Sequence, residues 1–356
     1  MEKIAQYFAI EGYVTDVRPL GNGLINDTYL VSASEGKRYV LQRINHAIFK
    51  DVDLLQRNIA YVTAHIRAKL TASGETDVDR KVLRLISLKD SQSTYYTDGK
   101  SYWRMSAFIE DSVTVETVTP ESSYCAGKAF GEFQAMLVDI KEQIGETIPD
   151  FHNMELRARQ LRDAVAKDPV GRCSEPEIRQ FLSEIDHHIE EMCKAERLYR
   201  EGVLPKRICH CDTKVSNMLF DKDGSVLCVI DLDTLMPSFI FSDVGDFLRT
   251  AANHVAEDCP EIDKVGFNMD IFSSFIKGYL ESAASFLTEV EKENIPYAAA
   301  LFPFMQAVRF LTDYINGDTY YKIAYPEHNL VRTRNQMALF RSVLSHWDQM
   351  KAIVSE

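Results

Sequence analysis

Over the first 110 residues, apolar and polar positions alternate in short runs. YVTDVRPL, DTYLVSAS and RYVLQRIN each have a period of two and are separated by GNGLIN and EGK, which predicts three strands of an antiparallel meander. Between Val52 and Leu70 the period lengthens. Leu54, Leu55, Ile59, Val62, Ile66 and Leu70 recur mostly at three- and four-residue steps, which predicts one helix with a single apolar face. VLRLISL, STYYT and SYWRMSAFI, with the turn DGK between the last two, return to strand character and end near Ile109.

From Ser122 onward the pattern is helical. YCAGKAFGEFQAMLVDI, SEPEIRQFLSEIDHHIEEM, DIFSSFIKGYL and YAAALFPFMQAVRFLTDYI read as amphipathic or buried helices. One interruption stands out: NMLF, the turn DKDG and SVLCVIDLD predict a short hairpin among the helices. The segment EDSVTVETVTP between the halves lacks helical periodicity and ends in proline. The pattern therefore predicts an α+β chain with an antiparallel-sheet N-terminal lobe over 1–110 and a mainly helical C-terminal lobe over 111–356. Length agrees, because single cores seldom grow past about 250–300 residues.

Composition narrows the classes. A formal net charge of -13, with acidic residues spread along the chain, would repel a nucleic-acid backbone, so no nucleic-acid partner is expected. No apolar run approaches the roughly 18 residues needed to cross a bilayer, and MEKIAQYFAIEG lacks the apolar stretch and cleavage site of a leader. A soluble, unprocessed chain with no membrane partner is expected. Seven cysteines without a CxxC pair fit reduced thiols in a cytoplasm. Cys209, His210 and Cys211 resemble zinc ligands, but neighbours on an extended segment point to opposite sides and no second pair follows, so zinc is not expected.

The chemistry concentrates in ICHCDTKVSN, Ile208 to Asn217, which contains HxDxxxxN. Asn217 is expected at the start of the first hairpin strand and Asp231 at the end of the second, facing one another across the hairpin's open end. An amide oxygen and a carboxylate suit Mg²⁺, which prefers hard oxygen ligands and takes few from protein when phosphates supply the rest. Asp212 is then free to accept a proton from an acceptor hydroxyl, as in protein-kinase-like phosphotransferases, and Lys214 can face a γ-phosphate. His210 is read as orienting the loop, and Asp233 as a second-sphere or substrate contact.

GNGLINDTY is the second constellation: Gly21, Asn22 and Gly23 can form a tip whose backbone N–H groups cover phosphates, with Asn26 and Thr28 adding polar contacts. In SDVGDFLR, Asp243 can cap a first helical turn, and Asp243 and Asp246 are read as bracing the catalytic loop. Near the C-terminus, VRFLTDYINGDTYY carries Arg309 and Tyr320 on either side of an Asn-Gly break, followed by YPEHNLVRTRNQ.

GNGLINDTYLV, HCDTKVSN, VIDLDTLMP, SDVGDFLR and YPEHNLVRTRNQ, in this order, resemble the aminoglycoside phosphotransferase and choline kinase-like superfamily, and within it the N-acetylhexosamine kinases. The resemblance implies a protein-kinase-like fold of two lobes, the first binding nucleotide, the second catalytic and sugar-binding. It implies Mg²⁺-dependent phosphoryl transfer from ATP to the anomeric hydroxyl of N-acetylglucosamine or N-acetylgalactosamine. A monomer or weak dimer is expected. Asp212 matches the base, Asn217 and Asp231 the metal ligands, and Arg309 and Tyr320 the sugar contacts; the adenine would stack near Phe108 to Glu110. Three departures are visible. VLQRIN has Gln42 and Arg43 where kinases carry a third-strand lysine, a lysine the N-acetylhexosamine kinases also tend to lack, and Leu24 and Ser238 replace a frequent histidine and glycine. The competing expectations are a kinase acting on choline, ethanolamine or an aminoglycoside, and a nucleotide-binding regulator without catalysis.

Overall fold

The structure, a computed structural model, describes residues 1–21, 25–115 and 117–355. Five strands, β1 (Val14–Pro19), β2 (Asp27–Ala33), β3 (Arg38–Ile44), β4 (Tyr95–Thr97) and β5 (Tyr102–Ala107), form an antiparallel sheet in the order β1-β2-β3-β5-β4. Alternation gives the sheet two faces. Val31, Ala33, Tyr39, Leu41, Trp103 and Met105 share one core with Ala5 and Phe8. Thr28, Gln42 and Arg104 are cross-strand partners on β2, β3 and β5, and as neighbours of Tyr29, Leu41 and Met105 they project to the other face.

VLRLISL departs from the strand expectation. The outer edge of β5 is divided: β4 pairs with Tyr102 to Arg104, and the remainder receives only Ile86 N–H to Met105 O (2.8 Å) and Ala107 N–H to Arg84 O (2.9 Å). With half an edge available, residues 82–88 make isolated bridges and no regular ladder.

The predicted helix spans Val52–Ala72, with the Asp51 side chain accepting Leu54 N–H at 2.8 Å as its N-cap. Leu55, Ile59, Val62 and Ile66 are buried along one stripe, and so are the polar Gln56 and Asn58.

The chain forms two compact units that cross the boundary drawn from sequence. One comprises 1–115, 133–149 and 216–237, and the other 116–132, 150–215 and 238–356. The hairpin therefore belongs with the sheet, not with the helices around it in sequence. The reason is burial of its apolar side: Leu227 and Cys228 share a cluster with Ile109, joined by Leu83, Leu219 and Ile230, and Val113 and Phe220 exchange backbone hydrogen bonds at 2.9 Å.

The second unit is helical. Its helix Ile295–Ile315 is buried along almost its entire length. Helices Pro120–Leu137 and Met269–Ala283 approach through glycine, since a methyl at Gly131 would lie 2.8 Å from the Tyr279 carbonyl oxygen. Helix Phe241–Ala251 packs on Ile295–Ile315 in the same way, with a methyl at Gly245 falling 2.6 Å from Ala298 O. That close approach fixes the helix bearing Asp243 and Asp246. Among the described residues no helix is long and apolar enough to cross a membrane.

Candidate active site

The three-residue strand β6 (Arg207–Cys209) leads into the HxDxxxxN loop. Its backbone is held by carboxylates. Asp243 accepts His210 N–H at 3.1 Å and Cys211 N–H at 2.8 Å, and Asp246 accepts Thr213 N–H at 3.0 Å. The cap position of Asp243's own helix is Ile240, and the Asp243 oxygens reach the loop. Arg249, buried, pairs with Asp246 and with Glu257 (2.6 Å), while burial pushes the Asp246 carboxyl upward against the pull of Arg249.

His210 is buried with its ring edge toward Phe130, and its Nδ1 accepts Asp212 N–H at 3.2 Å. This is the loop-orienting geometry. Cys211 turns through φ 63°, so the segment is not extended there, and the seven cysteines form no disulfide among the described residues. The turn brings Asp212 beside Lys214, with Nζ to Oδ1 at 2.8 Å. Burial lowers the Lys214 pKa, but Asp212 and Asp246 more than offset this and keep it raised, so the side chain is a cation at neutral pH.

Strands β7 (Met218–Phe220) and β8 (Val226–Val229) form the hairpin. Asn217 closes a 3-10 turn just before β7, not on the strand, and Asp231 lies two residues past β8. The open end still brings the two sequence neighbourhoods together, because Ile230 N–H donates to Asn217 O at 2.9 Å. Asp231 adopts φ 58°, a left-handed conformation costing about 1–2 kcal/mol for a residue with a Cβ. A buried amide and a carboxylate at one hairpin end fit Mg²⁺ as a donor set of hard oxygens. Among the described residues no cluster of three or more His, Cys, Asp or Glu side chains is placed for a metal.

Asp233, expected as a second-sphere or substrate contact, is 3% exposed. Its carboxylate receives Asn26 Nδ2 at 2.6 Å and pairs with Arg104, and its carbonyl receives Thr147 Oγ1 at 2.9 Å. Asn26 is itself engaged at its other end by Asn45 N–H (2.9 Å). Arg104 Nε donates to Gln42 Oε1 at 2.9 Å, and Gln42 Nε2 to Thr28 Oγ1 at 3.3 Å. Asn58 reaches the same turn by donating to Leu235 O at 3.1 Å. Arg104, Asn58 and Thr147 were not anticipated. A lone arginine among the apolar residues of YWRMSA was the available signal for the first of them.

The remaining predicted residues fall as follows. Gly21 has φ 67°, suited to a turn, whereas Asn22 and Gly23, with Leu24, lie outside the described residues. Glu110 is paired with Arg38, whose guanidinium sits 4.3 Å above the Phe108 ring.

In the helical unit, the Asp313 carboxylate organises the Asn-Gly break by accepting Thr319, Tyr320 and Tyr321 N–H groups (2.8–2.9 Å) and Asn329 Nδ2 (2.9 Å). Tyr320 is 74% exposed, with its ring against Tyr321. Arg309 lies 5.6 Å from the Tyr321 ring and 5.9 Å from Phe151. Arg157, a residue the sequence did not suggest, donates to Phe151 O at 2.6 Å, and its Nε is buried with no hydrogen-bond partner among the described residues. Burial, reinforced by Arg309, brings the Arg157 pKa down to about 10.

A match to the phosphotransferase enzyme family spans residues 16–268, and the chain belongs to that family. Solved structures share the fold. An aminoglycoside phosphotransferase from Alicyclobacillus acidocaldarius is similar with TM-score 0.65 at 13% identity, over 100% of this chain and 96% of that one. An amicoumacin kinase, in complex with AMP-PNP, Ca²⁺ and its antibiotic, gives TM-score 0.60 at 13% identity over 95% and 91%. An ethanolamine kinase from Plasmodium vivax gives 0.55 at 15% over 92% and 84%.

Proposed function

We propose that this phosphotransferase transfers the γ-phosphoryl group of ATP to the anomeric hydroxyl of N-acetylhexosamines. Asp212 takes the proton as the acceptor O–H bond breaks, the acceptor oxygen bonds phosphorus, and the bond from phosphorus to the β-phosphate oxygen is lost to ADP. Asn217 and Asp231 would hold Mg²⁺, whose chemistry there is neutralisation of phosphate charge. Lys214 holds the Asp212 side chain and offers a cation to the transferring group. The complexes of the amicoumacin kinase support a nucleotide and a divalent cation as the co-substrates of such a fold.

The observation that carries the acceptor assignment is the charge around the Asn-Gly break. The Asp313 carboxylate is saturated by four donors, and Asp318 is taken by Arg172 (2.7 Å) and Asn329 (2.8 Å), so neither is left for an amine. Arg157 and Arg309, by contrast, have no ion-pair partner among the described residues and would repel choline, ethanolamine or an aminoglycoside. Guanidinium donors and tyrosine faces suit the hydroxyl, carbonyl and ring oxygens of an uncharged N-acetyl sugar.

A steady-state panel with ATP and Mg²⁺ tests this. Turnover of N-acetylglucosamine or N-acetylgalactosamine well above that of choline, ethanolamine and kanamycin is expected. Preference for the amines would overturn the acceptor assignment, and absence of magnesium-dependent turnover across the panel would favour a non-catalytic nucleotide binder.

A further inference from the structure

We propose that Arg104, delivered from β5, is the cation that grips the nucleotide's phosphates, in the place kinases give to a third-strand lysine. This rests on the phosphotransfer reading above. Kinases hold the phosphates with a lysine on the third strand and pair that lysine with a helical glutamate. The third strand here, β3, has glutamine at position 42. Its own cations are committed elsewhere: Arg38 to Glu110, and Arg43 to Asp27 with Nε at 2.7 Å.

Arg104 is the direct cross-strand partner of Gln42, so a cation has moved one strand sideways without leaving the row. Thr28, Gln42 and Arg104 form a continuous polar line across β2, β3 and β5, ending on Asp233, two residues beyond the proposed metal ligand. Burying such a line is unfavourable unless each group is bonded. Arg104 is 5% exposed, and Asp233 acts as its fixed counter-ion in the role of the helical glutamate. The guanidinium has five donors in a planar fork. Nε goes to Gln42 and Nη1 to Asp233, while Nη2 has no hydrogen-bond partner among the described residues. That remaining edge matches the bidentate recognition of phosphate that arginine performs better than lysine. Asn26 bonds the other oxygen of Asp233, so one carboxylate ties Asn26 and the cation to the turn after Asp231.

Competition against a fluorescent ADP analogue, with Mg²⁺ present, gives Kd values for ATP, ADP and adenosine. The paired variant Arg104→Met/Asp233→Asn removes the cation without stranding a buried carboxylate. It should lose at least about tenfold in ATP and ADP affinity, a single charged hydrogen bond's worth, and less than about threefold for adenosine. Gln42→Lys added to Arg104→Met should restore most of the phosphate-dependent part. Equal losses for adenosine and ATP, or unchanged ATP affinity, would overturn the proposal and leave Arg104 a purely structural residue. If the paired variant does not fold, Arg104→Met with and without Gln42→Lys decides: ATP binding weakened about tenfold in Arg104→Met and brought back within a few fold of wild type by Gln42→Lys supports the proposal, and equal ATP affinity in the two contradicts it. Failure of the wild-type protein to bind any nucleotide would instead strike the phosphotransfer reading itself.

Discussion

In the loop from His210 to Lys214, backbone N–H groups hang from the carboxylates of Asp243 and Asp246, whereas the turn after Asp231 is gripped by side chains, Asn26 and Arg104 on Asp233 and Thr147 on its carbonyl. Both regions pass through a left-handed residue at or beside a carboxylate, Cys211 before Asp212 and Asp231 itself. Such backbone persists only where the surroundings over-determine it, and these are two different ways of doing so. Bracing through backbone donors does not draw on the side chains at 212 and 214, which pair with each other. Bracing through side chains makes the identity of a distant residue such as Arg104 matter to the turn after Asp231.

The largest effect is expected at Asp212. Replacing it with asparagine keeps the loop's backbone bonds, so kcat should fall roughly 10²- to 10⁴-fold while the Kd for ADP and the melting temperature stay near wild type. Unchanged turnover in that variant would remove the carboxylate from the reaction. Asp243→Ala acts on the brace instead. It strands at least two buried N–H groups, and a loss of roughly 2–5 kcal/mol is expected in urea unfolding. A loss below about 1 kcal/mol would show that the loop is held by something else.

Gly245→Ala tests the same brace from behind. The added methyl would meet Ala298 O and the Phe302 ring, so about 1–3 kcal/mol of destabilisation is expected, with kcat falling more than KM changes. The smallest effect concerns acid. Burial, reinforced by Arg309, Arg157 and Arg249, holds the His152 imidazole neutral with its pKa well below 6.5, while Ser242 Oγ bonds its Nδ1 at 3.0 Å. The unfolded chain takes up a proton below that pH and the folded chain does not. Stability that is complete above pH 6.5 is therefore lost on acidification, at up to about 1.4 kcal/mol per pH unit. Unfolding midpoints for His152→Gln should show a flatter acid side; an identical slope would assign the sensitivity elsewhere.

Period and turn residues made the meander, the Val52–Ala72 helix and the β7–β8 hairpin legible, because each buries one face and that face is written in the sequence spacing. HxDxxxxN and the ID closing the hairpin made the meeting of the Asn217 and Asp231 neighbourhoods at one hairpin end legible for a similar reason: their spacing is local. The allegiance of the hairpin was not legible, since it depends on Leu83 and Ile109 more than 100 positions away. Nor was the division of the β5 edge, which left residues 82–88 without a regular ladder. Arg104 and Arg157 escaped notice because a cation's role is set by what it faces: an arginine is read as surface until a buried carboxylate, or the lack of one, is found beside it.

The account turns on phosphate reaching the anomeric oxygen. Phosphorus NMR of the product formed from ATP, Mg²⁺ and N-acetylglucosamine or N-acetylgalactosamine should show a new phosphomonoester coupled to the anomeric proton. A phosphomonoester coupled to any other sugar proton, or none formed at all, would contradict it.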